Sequence, residues 1–280
     1  MTRFVPAVPR LLAGIVAGAA LAVPLRAARA DPWIPAAGDG VVKPMVRLFH
    51  GNQAFPAGGF TTNALRGSSE SSKQYRVTGV QGIGHDLSIE YDLRGGRVRS
   101  FADRHHIPTA SVSSGLQDEE IGLNYGLIQT ARFADSITLN VIVPAGRTKP
   151  SPALGTGRWS VEPDFQAGIS RPWGSLTMVA GARMFLDGAA TQLRATIDLS
   201  LHLTRRLALT GEVFAVKTIR QSGTIPPGAQ GEIYNLVRPA VGLTWRLTKA
   251  IRPFLLYEVN VAGEGIHAGS RLELGVAVHY

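Results

Sequence analysis

The sequence predicts an all-β chain, a transmembrane antiparallel β-barrel of about twelve strands with short periplasmic turns and longer extracellular loops. Three observations favour this fold class. Apolar and polar residues alternate in repeated segments of about ten residues, the period of a strand and the length that crosses hydrocarbon at a tilt. The links between these segments are alternately short and long. The last ten residues, RLELGVAVHY, keep the alternation to the end and finish on Tyr280.

The first thirty residues are predicted to be a secretory signal peptide. MTRFVPAVPR carries two arginines and no acid, an apolar run LLAGIVAGAALAV follows, and a small-x-small triplet ends at Ala30. The apolar run is short for a bilayer span, so an N-terminal anchor helix is the less favoured alternative. We expect cleavage near Ala30, a periplasmic N-terminal segment at 31–40 and the barrel at 41–280. The expected location is the outer membrane of a Gram-negative bacterium.

Composition excludes several classes of function. The predicted signal holds four of the 29 basic residues and none of the 20 acidic ones, which leaves a net charge of +5. This balance is mild and no Lys/Arg cluster stands out, so nucleic acid is a poor candidate partner. The absence of cysteine excludes disulfides and thiolate metal sites. After the signal no run of about 18 apolar residues occurs, so a closed barrel is the remaining way to cross a membrane.

Twelve segments are predicted as strands. The clearest is QLRATIDLSLHL, in which leucine, alanine and isoleucine alternate with charged or polar residues from Leu193 to Leu203. An even number of antiparallel strands places both chain ends on the periplasmic side. The last strand is expected to pair with the first. In chain order the segments are VVKPMVRLF, YRVTGVQG, DLSIEYDL, EEIGLNYGLI, SITLNVIVPAG, SVEPDFQAGI, SLTMVAGARMFL, QLRATIDLSLHL, LALTGEVFAV, YNLVRPAVGLTWRL, IRPFLLYEVN and RLELGVAVHY.

The links between these segments are predicted to sort by length. Tight turns are expected at GHD near Gly84, at Trp173-Gly174, and at 204–206 and 248–250. Longer links are expected at 51–73, 95–117, 147–158 and 218–231. An outer-membrane barrel shows this asymmetry, with its turns in the periplasm and its loops outside.

Aromatic residues beside the short turns predict an interface girdle at the periplasmic boundary of the lipid. They are Tyr125, Trp173, Trp245 and Tyr280. Charged residues of the opposite parity are predicted to line the lumen, because an arginine facing lipid at mid-depth costs about 2–4 kcal/mol. They are Glu90, Asp92, Arg94, Glu120, Glu162, Asp164, Arg183, Arg194, Asp198, Glu212, Arg238, Arg252, Glu258 and Glu273.

The lumen residues allow two interpretations. They are either a selectivity ladder or proton relay, or acids and arginines that satisfy one another and prop a narrow barrel from within. We favour the second. Twelve strands lie between the eight that side chains fill and the sixteen that leave an open channel, so we expect a narrow or partly plugged lumen.

The sequence offers no catalytic constellation. The seven histidines are scattered and no H-x-S-N-G-like stretch occurs. His105 and His106, with Asp103, are a conceivable metal site, although a solvated loop is the favoured interpretation. We therefore predict that the chain is not an enzyme and holds neither a cofactor nor a metal.

Several stretches resemble one known family, the outer-membrane barrels grouped with the phenol meta-pathway transporter and the XagA-type proteins. DPWIPAAGDGVVKPMVRLF is similar to that family's opening, and DLSIEYDL, LNYGLIQTARFADSITL and DFQAGISRPWG are similar to its repeated units. Here the first unit is rearranged and the second has a longer turn. The resemblance implies a barrel, and a role in uptake of hydrophobic or aromatic compounds or in surface polysaccharide production. It transfers no catalytic residues.

The predicted function is passage of small molecules, including hydrophobic or aromatic ones, through the barrel. The main alternative is a non-conducting accessory barrel for surface polysaccharide secretion or adhesion. A third interpretation is a soluble periplasmic β-protein such as a lipocalin-like binder. The expected partners are outer-membrane lipid and lipopolysaccharide, the barrel-assembly machinery during insertion, and a small-molecule substrate of unknown identity.

Overall fold

A computed structural model describes residues 32–56, 59–104, 107–149, 152–188, 190–221 and 234–280. The predicted signal peptide lies outside the described residues. No helix in the described part of the chain is long and apolar enough to span a membrane. The described strands are β1 (Gly40–Ala54), β2 (Leu65–Gly84), β3 (Leu87–Arg104), β4 (Ile107–Leu116), β5 (Glu119–Gln129), β6 (Phe133–Val143), β7 (Ser160–Arg171), β8 (Gly174–Phe185), β9 (Ala190–His202), β10 (Leu207–Gln221), β11 (Asn235–Trp245), β12 (Ile251–Val259), β13 (Ala262–Glu264) and β14 (His267–His279).

These strands form one closed antiparallel barrel. Neighbouring strands pair in sequence around the sheet, and β14 pairs with β1 to close it. β4 and β5 both pair with β3 and count as one barrel strand, interrupted at Gln117 and Asp118. β12 and β13 both pair with β11 in the same way. The barrel therefore has twelve strands, and the predicted fold class is confirmed.

Two predicted loops are wrong, because most of their residues continue the strands. β1 runs to Ala54 and β2 begins at Leu65, while β3 runs to Arg104 and returns as β4. The segments SSESSKQY and RVRSFADR lack the apolar alternation that marked the other strands. In these segments Lys73, Arg97 and Arg99 take outward positions, so the strands continue through backbone hydrogen bonds without an apolar outer face.

The four predicted tight turns are present. In the β2–β3 turn the two central residues, His85 and Asp86, have φ values of 55° and 56°. A further turn at 130–132 joins β5 to β6 without glycine or proline. There the Thr130 hydroxyl accepts a hydrogen bond of 2.9 Å from the backbone N–H of Phe133. Because this side-chain hydrogen bond forms the turn without glycine or proline, the amino-acid composition did not predict the turn.

Residues 32–39 lie inside the mouth of the barrel at the end that carries the short turns. The Trp33 indole is 8% exposed, and its Nε1 donates a 2.8 Å hydrogen bond to the carbonyl oxygen of Thr130. The backbone N–H of Ile34 donates to Oε1 of Gln129 at 2.9 Å. Gly168 on β7 faces the same segment, because a Cβ added there would lie 2.7 Å from Cδ of Pro32. The segment therefore narrows the mouth from within.

Candidate functional site: the charged lumen

The strand register sorts the charged residues to the inside of the barrel. Large apolar side chains such as Leu123, Leu139 and Phe165 are exposed on the outer wall. The residues between them on the same strands, including Asn140 and Gln166, are buried. Residues paired across strands point the same way, and by this criterion every predicted lumen residue lies on the inward side.

A chain of ion pairs runs around half of the inner wall. We call it the ion-pair belt: Arg76, Asp92, Arg94, Glu120, Glu162, Arg183 and Arg194. Asp92 contacts both Arg76 and Arg94, the latter through an Nε–Oδ2 distance of 2.7 Å. Arg183 on β8 donates to Glu120 on β5 at 2.8 Å and also pairs with Glu162. Arg194 donates to Glu162 at 2.7 Å.

A second group of ion pairs covers the remaining side. The Glu258 carboxylate, whose side chain is 1% exposed, lies 2.9 Å from Nε of Arg238 and 3.1 Å from Arg271. Glu273 pairs with Arg47 across the β1–β14 seam. Arg271 donates a charge-assisted hydrogen bond to Glu258 and Arg238 adds an ion pair, and together they compensate the desolvation of this buried carboxylate.

Phe214 on β10 joins the two groups. Its ring lies 5.3 Å from the guanidinium carbon of Arg194 and 4.7 Å from that of Arg238. Both distances are within cation–π range. Phe214 therefore links the ion-pair belt to the Glu258 group.

The other predicted lumen residues belong to neither of these two groups of ion pairs. Glu90 accepts a 2.7 Å hydrogen bond from Asn124, and Asp164 accepts one of 2.8 Å from Asn140. Asp198 on β9 and Glu212 on β10 are register partners, and Glu212 makes no ion pair with any residue that the structure describes. Arg252 lies near the periplasmic end of β12.

The ion-pair belt divides the lumen into two cavities. The upper cavity, toward the end of the barrel opposite the short turns, has a volume of about 590 Å³ and is lined by Phe49, Glu70, Glu212, Phe214, Ile266 and His267 among others. The lower cavity has a volume of about 250 Å³ and includes Val41, Lys43, Thr78, Glu90 and Asn140. Arg76 and Glu120 line both cavities. One layer of side chains therefore separates them.

Three of the predicted girdle residues lie on the outer wall beside the short turns, where Tyr125, Trp173 and Trp245 are 46%, 45% and 53% exposed. Tyr280 differs from them. Its side chain lies flat across Gly40, and its hydroxyl donates to Oε1 of Gln81 at 2.6 Å. The Tyr280 side chain therefore packs against the strands of the barrel wall as well as lying at its outer surface.

Sequence reasoning missed several lumen residues. Arg47 and Arg76 lie on the first two strands, where Pro44 and Gly79 interrupt the pattern and no inward face was assigned. Phe49 and Phe214 lie at inward positions of their strands, next to charged lumen residues. Because only charged residues were predicted to line the lumen, these two phenylalanines were missed. Such aromatic residues flanked by charges on one face are the signal that could have revealed a mixed lumen.

Among the described residues no three His, Asp or Glu side chains lie close enough together to hold a metal. The histidines of the considered metal site, His105 and His106, lie outside the described residues.

No known protein family and no curated protein matches the sequence. Solved structures do match. The COG4313 outer membrane channel from Pseudomonas putida F1 is 17% identical with a TM-score of 0.69, over 91% of this chain and 100% of that one. The translocator domain of the autotransporter NalP from Neisseria meningitidis is 12% identical with a TM-score of 0.53, over 98% and 95%. A KdgM porin is 8% identical with a TM-score of 0.52, over 86% and 99%. At these identities the likeness shows the fold, which is that of outer-membrane β-barrels.

Proposed function

We propose that this chain is an outer-membrane channel that passes small molecules through its lumen. The observation that carries the proposal is the pair of cavities inside one barrel, separated by a single layer of side chains in which Arg76 and Glu120 touch both spaces. Two proteins of similar structure, an outer membrane channel and a porin, support it. The belt and the N-terminal segment make the path narrow, so the cargo is small.

The chemistry of the upper cavity supports a cargo with an aromatic or other hydrophobic part. Phe49, Phe214 and Ile266 line this cavity among guanidinium and carboxylate groups. Apolar contact with the two rings and polar contact with the charges favour a small molecule that carries both kinds of surface. The resemblance to transporters of aromatic compounds agrees with this substrate class.

Single-channel recording in a planar bilayer tests the proposal. The refolded barrel is expected to give discrete, low-conductance steps, and Arg76→Ala is expected to raise the conductance by joining the two cavities. Arg158→Ala is the control, since Arg158 pairs with the exposed Asp187 and is not part of the belt. Silence from a barrel that shows heat-modifiable migration would contradict a channel and would favour the non-conducting accessory role in polysaccharide secretion or adhesion.

The substrate class needs a separate measurement. Benzenesulfonate is expected to block the ion current transiently, whereas methanesulfonate, with the same charged group and no ring, is not. Phe214→Leu should shorten the blocks. Equal block by both sulfonates would refute the aromatic preference and leave the channel itself intact.

A further inference from the structure

Three basic side chains lie together on the outer wall near the extracellular end. Lys73 on β2 is the register partner of Arg97 on β3, and Arg99 follows two residues later on the same face. All three side chains are exposed. They share the outward parity of Tyr75 and Leu93, which are exposed apolar residues of the outer wall. We call them the basic patch.

The basic patch lies at the upper boundary of the apolar band. Arg97 is ten residues along β3 from Leu87, which pairs with the girdle residue Tyr125. At about 3.3 Å per residue and a tilt of about 40°, that spacing is about 25 Å, the height of a barrel's apolar band. Immediately below, Tyr75 and Leu116 are 44% and 54% exposed. The patch therefore lies at the level of lipid headgroups, with acyl-chain contacts beneath it.

No acid of the described chain neutralises these charges. Lys73, Arg97 and Arg99 take part in none of the ion pairs between described residues, and the Lys73 ammonium lies over the Tyr75 ring at 5.2 Å. Like charges directly opposite one another across two strands are destabilising. The inner wall avoids this arrangement by pairing each belt arginine with a carboxylate. The outer patch lacks such a partner, and an external anion would supply one.

We propose that the basic patch binds the phosphate groups of a lipopolysaccharide molecule in the outer leaflet. Guanidinium groups bind phosphate in a bidentate manner, and a lysine adds a point charge. Ser71 pairs with Arg99 and Ser114 pairs with Arg97, which places two hydroxyl donors beside the cations. This site depends on the outer-membrane location proposed above, but it does not depend on conduction.

Native mass spectrometry of the full barrel in detergent tests the site. Kdo2-lipid A, with two phosphates, is expected to bind, and the variant Lys73→Gln/Arg97→Gln/Arg99→Gln is expected to bind it about 100-fold more weakly, at about tenfold or less per basic residue. The control Arg205→Gln/Arg206→Gln/Lys249→Gln removes the same charge from exposed residues of periplasmic turns. It is expected to bind as the unmodified barrel does.

Two further outcomes would overturn the proposal. Equal binding of dephosphorylated lipid A would show that acyl chains alone direct the contact. Binding of inorganic pyrophosphate as tight as that of Kdo2-lipid A would indicate a general anion site instead of a lipid site. Heat-modifiable migration checks that the triple variant is folded, and its single-channel conductance is expected to be unchanged. A loss of lipid binding is thereby distinguished from a failure of the channel.

Discussion

The hydroxyl of Tyr280 donates a hydrogen bond of 2.6 Å to the side-chain carbonyl of Gln81, 199 residues earlier. Between them lies Gly40, whose missing side chain leaves room for the tyrosine ring, since a Cβ there would be 2.7 Å from the hydroxyl oxygen. The Tyr280 side chain thus crosses β1 and contacts β2. Its hydrogen bond stabilises the β1–β14 closure of the barrel.

Tyr280→Phe is expected to lower the free energy of unfolding by about 1 kcal/mol, because it removes one neutral hydrogen bond and keeps the ring. Urea unfolding of the barrel in lipid vesicles measures this change. Tyr257→Phe is the control, since Tyr257 is an exposed outer-wall tyrosine whose hydroxyl makes no hydrogen bond to the described residues. In the background of Gln81→Leu the Tyr280 substitution should have no further effect. Additive losses would contradict the contact.

Asp92→Asn is expected to lower the free energy of unfolding by about 3 kcal/mol. Asp92 is the carboxylate between Arg76 and Arg94, and its loss leaves two guanidinium groups adjacent and uncompensated. The same urea unfolding measures the effect. Asp187→Asn removes an exposed partner of Arg158 and should cost less than about 1 kcal/mol. Equal losses for the two variants would mean that the belt does not stabilise the barrel.

Gly168→Ala is expected to displace residues 32–39 from the mouth of the barrel beside the short turns and to raise single-channel conductance. The new Cβ would overlap Pro32 and would lie 2.9 Å from the Trp33 ring. A red shift of tryptophan fluorescence should accompany the change as Trp33 enters water. Gly211→Ala is the matched control, because a Cβ at Gly211 meets no atom within 4 Å. Unchanged conductance with a displaced Trp33 would show that this segment does not restrict flow.

Glu212→Gln is expected to shift ion selectivity toward anions by about a factor of two. Glu212 faces the upper cavity without an ion-pair partner among the described residues. A unit charge at about 8 Å contributes about 0.5 kcal/mol in water. The reversal potential under a KCl gradient measures the ratio of permeabilities. Asp86→Asn removes the same charge from the exposed β2–β3 turn and should leave the ratio unchanged, so an equal shift in both variants would contradict a lumenal role.

The sequence predicts the strands well where one face must meet lipid. QLRATIDLSLHL becomes β9 because alternation of this length has one stable orientation in a membrane. Alternation fails in the parts of β2 and β3 where Lys73, Arg97 and Arg99 take outward positions. The alternation also does not determine which lumen residues pair with one another. Arg183 reaches Glu120 from β8 to β5, past two intervening strands. Parity gives the face of each residue, whereas such contacts depend on barrel curvature and side-chain reach.

The β2–β3 turn has a consequence for the order of folding. Its two central residues both have positive φ, as a type I′ turn requires, and this turn matches the natural twist of a hairpin. The hairpin strands, 20 and 18 residues long, can pair through local loop closure, which costs little chain entropy. The β1–β14 pairing instead joins residues more than 200 positions apart. Hydrogen exchange during folding should therefore show early protection of amide protons at 76–93 and late protection at 271–279. Folding would begin at this hairpin, and the β1–β14 pairing would form last.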